Sequence, residues 1–414
     1  MRLRIGWSEF WILSHPDFVR EILVTQASRF AKGRGIQRAK IFLGDSLLTS
    51  EGEHHRRQRR LAQPAFHRAR LQGYADAMIA CAVETRDRWR DGDEIDIGEE
   101  MNRLTLAIVG RTLFSADVEK DAKKIGEALT ALLENFNHLM RPLAPLLMRL
   151  PIPATYRIKK AQAMLDETIY ALIRDRRANH RDTGDLLSML AFAEDADHGG
   201  EKLSDEEVRD QALTLFIAGH ETTSNALTWT WWLLSQNPEV EASLHAELDR
   251  VLAGRTPKLE DFRSLVFTEK VVREALRLYP SIWSIGRTTL EPTVINGYTI
   301  PRAAIAVVCP WIIHRDPRFF PEPHAFRPER WTPEFTEALP KFAYFPFGGG
   351  ARICIGENFA WMELILVMAT LTQHWRLAAQ PGVVAQTHPS ITLRMQSGVR
   401  LRAESRAAVP FMTS

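Results

Sequence analysis

The stretch FPFGGGARICIG, residues 345–356, holds one of only three cysteines in 414 residues. Three consecutive glycines precede this cysteine, and Arg352 and Gly356 lie two positions to either side of it. The sequence that follows predicts a strong helix from about 357 to 371. A thiol just before a helix N-terminus faces unpaired N–H groups and the positive end of the helix dipole, which favours the thiolate.

Cys354 has three interpretations. A buried structural cysteine is the usual fate of a free thiol, but it does not need three glycines that allow a positive φ. A nucleophile would be expected to have a histidine base, and none lies nearby in sequence; the glycines also fail both phosphate-loop patterns, one of them at Ile353. A single soft anionic ligand beside an arginine remains, which describes axial ligation of haem iron with the arginine facing an acidic group of the porphyrin.

The stretch resembles the haem-binding loop of the cytochromes P450. The residues that match F-x-x-G-x-R-x-C-x-G are Phe347, Gly350, Arg352, Cys354 and Gly356. The resemblance runs from residue 1 to about 402 and includes HRDP at 314–317, where we interpret His314 as structural. It implies a mainly α fold with small β-sheets. It also implies a haem b between a long central helix and the Cys-loop helix, with Cys354 on the iron and Gly348 in the cofactor loop.

A second motif is E-x-x-R, formed by Glu274 and Arg277, which lie on one helical face. Apolar neighbours indicate that the pair is buried, and a buried pair needs further partners to offset desolvation. In the family the third partner comes from a P-E-R-F-like segment, which FRPERW at 326–331 resembles, with Arg330 as the candidate and Trp331 in place of the common Phe. We interpret this trio as structural, holding the loop under the haem.

A long helix is predicted to open at Ser204, which forms a capping box with Glu207, and to stop at Asn237-Pro238. It carries AGHETT, 218–223, which resembles the family's [AG]-G-x-[DE]-T-[TS]. The small Ala218 and Gly219 leave room for a ligand against the helix. Cleavage of dioxygen at iron requires two protons, and a Thr222 hydroxyl with a Glu221 carboxylate behind it suits that need.

The segment 52–66 stands where the family usually has W-x-x-x-R, with His55 in place of Trp. The resemblance implies that His55 and Arg59 bind a haem propionate and that His54 is exposed. Arg287, in SIWSIGR, and Arg352 complete this set, because bidentate arginines are the expected anchor for two carboxylates.

Further elements follow from local patterns. The predicted elements are strands within 1–13 with a turn at Gly6–Glu9, a helix capped by Ser14, helices over 51–91, 99–115 and 157–193, a loop at 194–203, a hairpin at 294–301, a strand AIAVV, and a C-terminal hairpin that turns at Ser397-Gly398. No linker or repeat divides the chain, so we predict a single domain over 1–414. The chain starts almost on the first strands, so we expect either a truncated sequence or a member that is short at its N-terminus, and a lost membrane anchor stays open.

Composition excludes several classes of protein. The chain is 45% hydrophobic and 25% charged, and its net charge of +2 argues against nucleic acid as a partner. Three scattered cysteines do not make a disulfide framework or a zinc site. We find no apolar stretch that could span a bilayer and no signal peptide, so we expect a soluble, cytoplasmic monomer.

The function implied is a haem-thiolate monooxygenase that inserts one oxygen atom from O2 into a lipophilic substrate such as a fatty acid or terpenoid. Family position predicts a pocket lined by Phe216, Ile217, Ile282, Trp283, Ile285, Leu393 and Met395, under a loop at 34–49; plain core packing is the alternative for each. No flavin, nicotinamide or iron–sulfur motif is present, so electrons must come from a ferredoxin or flavodoxin. Arg56, Arg57 and Arg60 would form a basic dock for it, or a solvated charge run.

Three other functions stay open. A peroxygenase would use hydrogen peroxide directly, a haem isomerase or dehydratase would act on an oxidised substrate, and a haem sensor would only bind a gas. None of them needs a proton relay, so Glu221-Thr222 favours the monooxygenase. A sensor would also need an output domain, which the sequence does not show.

Overall fold

A computed structural model describes residues 1–114, 153–179, 183–195, 199–396 and 398–406. The chain divides into two compact units. Unit 1 comprises Met1–Ala31, Gln72–Thr105 and Glu221–Ser414, and unit 2 comprises Lys32–Leu71 and Leu106–His220. The single domain over 1–414 stays a prediction.

Helices dominate the described residues. The α-helices are Pro16–Arg20, Arg34–Arg38, Lys40–Leu43, Gly52–Ala62, Arg68–Arg88, Ile97–Phe114, Pro153–Ala178, Leu186–Phe192, Asp205–Gln236, Pro238–Leu252, Val266–Leu278, Pro310–Ile313, Pro333–Ala338 and Glu357–Thr372. Short 3-10 turns cover Ala27–Arg29, Gln63–Phe66, Leu259–Arg263, Pro328–Arg330 and Gly350–Arg352, and a π turn covers Glu21–Thr25. None of the helices in this part of the chain combines the length and apolar character that crossing a membrane requires.

The strands are short and form small sheets. They are Arg2–Ile5, Ser8–Leu13, Phe30–Lys32, Glu94–Asp96, Glu194–Asp195, Glu201–Lys202, Ile285–Thr289, Thr293–Ile295, Tyr298–Ile300, Ile305–Val308, Trp375–Ala379, Thr387–Pro389, Leu393–Met395 and Arg400–Ser405. The largest sheet has five strands, which begin, in spatial order, at Arg2, Ser8, Ile305, Ile285 and Phe30. The predicted mainly α composition with small sheets is confirmed.

The long helix Asp205–Gln236 begins as the capping box predicts. The Glu207 N–H donates to Ser204 Oγ at 3.1 Å, and the Ser204 N–H donates to the Glu207 carboxylate at 2.9 Å. The cap predicted at Ser14 is wrong, because Pro16 occupies the first helical position and the cap is the residue before it. That residue is His15, whose ring Nδ1 accepts the Asp17 N–H at 3.3 Å.

Two predicted helices are each interrupted. The segment 51–91 breaks at Gln63–Phe66, where Pro64 forms part of a 3-10 turn. The segment 157–193 ends its first helix at Ala178, and Asp185 caps a second one by accepting the Ser188 N–H at 2.7 Å. The predicted loop at 194–203 contains a short two-stranded pairing. Residues 115, 180–182 and 196–198 of these predictions lie outside the described residues.

One hairpin prediction is confirmed and the other is wrong. Asn296 and Gly297 have φ values of 46° and 83°, as a two-residue type I′ turn between paired strands requires. The C-terminal strands do not pair with each other. Leu393–Met395 pairs with Thr387–Pro389, whereas Arg400–Ser405 lies between Trp375–Ala379 and Glu94–Asp96. Local alternation cannot reveal this choice of partner; Ser397 itself lies outside the described residues.

Residues 345–356, hereafter the Cys loop, begin in the core of unit 1. Phe345 belongs to a buried cluster that includes Leu13, Ile22, Leu23 and Val308. The loop continues against the same segment, because a Cβ atom on Gly350 would lie 1.9 Å from the Leu23 carbonyl oxygen. Gly350 also has a φ of 69°. Only glycine satisfies both constraints, so this position fixes how closely the Cys loop approaches the core.

We therefore expect Gly350→Ala to destabilise the protein more than a glycine substitution that meets only the conformational constraint. Gly382→Ala is the matched control, since Gly382 has a φ of 85° and no heavy atom within 4 Å of the added Cβ. The control should cost about 1 kcal/mol, and Gly350→Ala about 2 kcal/mol more, because a backbone carbonyl must move. Urea unfolding measures both, and equal costs would contradict the steric argument.

Candidate active site

Cys354 is the exposed cysteine of the three, whereas Cys81 and Cys309 are buried. Its backbone N–H donates to the Phe347 carbonyl oxygen at 3.0 Å, which closes the Cys loop on itself. The helix Glu357–Thr372 begins three residues later, with Gly356 as its N-cap. The thiol thus lies on the surface of unit 1 next to the start of this helix, so the interpretation as a buried structural cysteine does not apply.

Two arginines of unit 1 accompany this thiol. Arg352 ends the 3-10 turn Gly350–Arg352 inside the Cys loop. Arg287 lies on the strand Ile285–Thr289, whose Ile285 side chain is 3.7 Å from the Cβ position of Gly348. Residues two apart on a strand share a face, so Arg287 lies on the face that meets the Cys loop. A thiolate ligand with two guanidinium groups fits a metal macrocycle that carries carboxylates.

The E-x-x-R pair is fully buried. Glu274 and Arg277 both have 0% exposure, and Arg277 Nε and Nη2 donate to the two carboxylate oxygens at 2.8 Å. The remaining guanidinium protons reach the carbonyl oxygens of His314, Pro323 and Ala325 at 2.7–3.0 Å. All five donors of the arginine are therefore used.

The Glu274 carboxylate has three further donors. Arg330 Nε and Trp331 Nε1 both donate to it at 2.9 Å, and the Arg327 N–H donates at 3.1 Å. The predicted trio of Glu274, Arg277 and Arg330 is thus in direct contact, and Trp331 adds a hydrogen bond that phenylalanine could not make. Complete pairing is the condition under which a buried ion pair is tolerated.

His314 connects this ion pair to the Cys loop. Its carbonyl oxygen accepts from Arg277, and its ring Nε2 accepts the Phe345 N–H at 3.0 Å. Burial, reinforced by the charges of Arg277 and Arg315, lowers the pKa of His314 to about 3. The ring is therefore neutral at physiological pH, as an accepting Nε2 requires. The start of the Cys loop is thus connected to the buried ion pair through His314.

The long helix has one accessible stretch in its middle. Ala218 is exposed, and Ile217, Gly219 and Thr222 are partly exposed. The helix is buried on either side of this stretch, throughout 208–216 and 223–234. This is the AGHETT region, where the sequence predicts that small residues leave room for a ligand.

Glu221 lies next to that stretch and is 8% exposed. Its Oε1 accepts from Thr392 Oγ1 and from Arg394 Nε, both at 2.6 Å. The carbonyl oxygen of the adjacent Thr222 accepts from Ser281 Oγ at 2.7 Å. The acid–alcohol pair is therefore bound to two segments of unit 1, one at Ser281 and one at 392–394, and sequence analysis named neither Thr392 nor Arg394.

The described structure shows the other predicted cofactor residues separately, in unit 2. His55 is 4% exposed, and Arg59 lies one turn later on the same face of Gly52–Ala62. Their role at a propionate stays a prediction. The His54 side chain, predicted to be exposed, is 38% exposed, and its ring Nε2 lies 3.3 Å from the Asp45 carbonyl oxygen.

Comparison with known proteins agrees with this geometry. The family model described as Cytochrome P450 matches residues 1–399. The chain belongs to the cytochrome P450 family. Cyclooctatin synthase of Streptomyces melanosporofaciens is 40% identical over 395 residues, which cover 95% of this chain and 86% of that protein. Cyclooctat-9-en-7-ol 5-monooxygenase of the same species is 38% identical over 92% of this chain and 83% of that protein. Pentalenene oxygenase of Streptomyces avermitilis is 35% identical over 98% and 90%.

Membership confirms the fold class, the enzyme class and the cofactor. The chain is a cytochrome P450 monooxygenase, and it binds haem b. The residues of unit 1 fit that group, because the exposed thiol of Cys354 and the arginines Arg287 and Arg352 provide the donors that a haem and its propionates require.

The predicted pocket residues of this P450 differ in accessibility. Phe216 and Leu393 are each 3% exposed, which agrees with the core alternative. The other five, Ile217, Ile282, Trp283, Ile285 and Met395, are partly exposed. Trp283 is fixed at both ends, since its Nε1 donates to the Ser390 carbonyl oxygen at 2.9 Å and its own carbonyl accepts from Cys309 Sγ at 3.0 Å.

The predicted basic dock of this P450 is largely neutralised. Arg57, whose side chain is 15% exposed, donates to Asp195 at 3.0 Å and to Glu207 at 2.6 Å. Arg60 donates to the same Asp195 at 2.8 Å, and Arg56 pairs with Glu53. All three arginines are therefore paired with acidic residues, and the docking of a redox partner on this helix stays a prediction. The sequence could not show that acidic residues of the 194–207 region fold back onto this helix.

Glu363 is a buried acid that sequence analysis missed. It is 0% exposed on the helix Glu357–Thr372, and neither of its carboxyl oxygens makes a hydrogen bond with a described residue. Burial raises its pKa well above the usual range, and the nearby Thr223 hydroxyl only partly offsets this effect. The available signal was one carboxylate inside the apolar run MELILVMATL.

We expect Trp331→Phe to weaken the P450 fold, because it removes a donor from a buried ionised carboxylate. Trp375→Phe is the matched control, since Trp375 is similarly buried and donates to the neutral Arg86 carbonyl oxygen at 3.0 Å. The expected costs in unfolding free energy are about 1.5–3 kcal/mol and about 0.5–1.5 kcal/mol respectively. If urea unfolding gives the two variants the same cost, Trp331 does not act through Glu274.

Glu363→Gln should stabilise the protein increasingly as pH rises. Above about pH 4.5 the unfolded chain releases the Glu363 proton while the folded protein retains it, so the parent loses stability with rising pH. The glutamine variant lacks this loss. Melting temperatures of the two proteins should therefore diverge between pH 5 and pH 8, whereas the exposed control Glu260→Gln should run parallel to the parent. Parallel curves for Glu363→Gln would mean that this carboxyl ionises normally.

Proposed function

We propose that this P450 inserts one oxygen atom from O2 into a largely hydrocarbon, terpenoid-like substrate, with electrons from a separate ferredoxin or flavodoxin. The observation that carries the proposal is the exposed Cys354 thiol at the N-terminus of Glu357–Thr372, on a loop anchored to a buried ion pair. A cytoplasmic monomer is part of the proposal, and three cysteines outside any disulfide agree with a reducing compartment.

The substrate class is supported by relatives and by the accessible side chains. One relative is named for cyclooctat-9-en-7-ol and another for pentalenene, and both names denote olefinic hydrocarbon skeletons with at most one hydroxyl. The partly exposed predicted pocket residues are Ile217, Ile282, Trp283, Ile285 and Met395, which are all apolar. An apolar pocket selects substrates of that kind.

Each group of residues has a distinct task in the proposed mechanism. When bound, haem b supplies the iron centre at which dioxygen is activated. Cys354 would hold the iron through its sulfur, as the thiolate that the helix N-terminus favours. Arg287 and Arg352 of unit 1 would hold propionates, and the same task is proposed separately for His55 and Arg59 of unit 2. These tasks position the cofactor and leave proton delivery to other residues.

Proton delivery falls to the acid–alcohol pair of the long helix. The Thr222 hydroxyl, on the accessible stretch, would hold and donate a proton at its Oγ1, and the Glu221 carboxylate behind it would resupply that proton. A peroxygenase, an isomerase or a gas sensor would leave this pair without a task. Oxygen consumption coupled to NAD(P)H through a supplied redox partner separates the monooxygenase from all three.

Cys354→Ser should abolish the absorbance band of the reduced carbon-monoxide complex for which the family is named, because a serine cannot supply a thiolate. Cys309→Ser, a buried cysteine of the same unit, should keep the band and serves as the control. Spectra of the purified proteins, with haem content measured separately, give the result. A band that survives in Cys354→Ser would refute the ligand assignment.

A further inference from the structure

We propose that Arg394 and Thr392 are positioning residues for Glu221, the carboxylate of the proton relay. They hold its Oε1 atom and so leave proton transfer to its Oε2 atom. This inference rests on the proposed role of Glu221. Arg394 Nε and Thr392 Oγ1 both reach Glu221 Oε1 at 2.6 Å, and Arg394 Nη2 reaches the same oxygen at 2.5 Å. Charge-assisted bonds of this length are the strong ones, so Oε1 is fixed as an acceptor.

The protonation chemistry of Glu221 follows from which of its two carboxylate oxygens accepts the hydrogen bonds. A proton on Oε1 would point at the donor hydrogens of the Arg394 guanidinium and the Thr392 hydroxyl, which is unfavourable. Glu221 therefore takes up and releases its proton at Oε2. Thr392 is itself held, because its Oγ1 accepts from Asn225 Nδ2 at 3.1 Å. The Thr392 proton is thereby directed toward Glu221, and the carboxyl group keeps one orientation next to Thr222.

These contacts are not needed to anchor the segment that carries them. The Leu393 N–H donates to the Ser281 carbonyl oxygen at 2.9 Å, and Trp229 Nε1 donates to the Leu393 carbonyl oxygen at 3.1 Å. Trp283 Nε1 also holds the segment at the Ser390 carbonyl oxygen. With these bonds in place, the pair Arg394–Glu221 is available to orient the carboxylate.

The Arg394–Glu221 pair is also partly exposed to solvent. The Arg394 side chain is 29% exposed and the Glu221 side chain 10%. A second arginine–glutamate pair of unit 1 offers a matched comparison. Arg376, which lies on a different sheet from Arg394, has its Nε 2.8 Å from a carboxylate oxygen of the buried Glu241. Arg376→Gln removes the same chemistry from a place that the proposed mechanism does not use.

The test compares Arg394→Gln, Arg394→Lys and Thr392→Val with Arg376→Gln, in holoenzymes checked for haem content and for the reduced carbon-monoxide spectrum. With a substrate found by its haem spectral shift, the measured quantity is product formed per NAD(P)H consumed. Arg394→Gln should lower this ratio at least about threefold, with matching hydrogen peroxide, and should change the solvent isotope effect on kcat. Arg394→Lys should restore most of the ratio, and Arg376→Gln should leave it unchanged.

A Glu221→Gln arm separates this inference from the proposed function. If Glu221→Gln lowers the ratio and Arg394→Gln adds nothing to it in the double variant, the two residues act together as proposed. If Glu221→Gln lowers the ratio but Arg394→Gln behaves as Arg376→Gln does, the inference is overturned and the relay stands. An unchanged ratio in Glu221→Gln overturns the relay itself.

Two other results would also overturn the positioning role. A changed KM or substrate-induced spectral shift in Arg394→Gln, with an unchanged product ratio, would make Arg394 a substrate contact. An unchanged isotope effect with lowered thermal stability would make the pair purely structural. Should Arg394→Gln fail to fold, Thr392→Val retains the test, because it removes one of the donors to Oε1 without leaving a buried charge.

Discussion

The ion pair between Glu274 and Arg277 is the constraint on which unit 1 depends. Two opposite charges at 0% exposure are costly to remove from water, and they are tolerated only when their hydrogen-bonding capacity is used. Here the arginine satisfies three backbone carbonyl oxygens as well as the glutamate. Removing one partner of such a pair typically costs about 3–5 kcal/mol. The irregular segment from His314 to Trp331 is therefore shaped by the need to enclose this pair.

Because this ion pair is enclosed, the Cys354 thiol can be held at a precise position. His314 transmits the arrangement to Phe345, and Gly350 lets the Cys loop approach the Leu23 carbonyl oxygen where no side chain could fit. The loop is thus held by a neutral histidine at one end and by the helix Glu357–Thr372 at the other. A metal ligand needs such support, because a thiolate on an unsupported loop would be free to shift relative to the cofactor.

Three buried acids of unit 1, Glu274, Glu363 and Glu221, differ in their hydrogen-bond partners. Glu274 has a full set of donors and acts as a structural anion. Glu363 has no hydrogen bond to a described residue, and burial raises its pKa well above the usual range. Glu221 is intermediate, with strong donors on one oxygen and partial access to solvent. Of these three, only Glu221 combines a defined orientation with partial access to solvent, which suits the proposed relay.

The sequence by itself determined the family, the Cys loop, the E-x-x-R pair, the long helix and the turn at Asn296-Gly297. Each of these depends on residues close together in the chain, because capping, turn chemistry and helix-face spacing are local. The sequence did not determine which strands flank Arg400–Ser405, how the arginines at 56, 57 and 60 are paired, or that Arg394 meets Glu221. Those features join residues between 3 and more than 300 positions apart. Most depend on which distant surfaces pack together, and no local pattern encodes that choice.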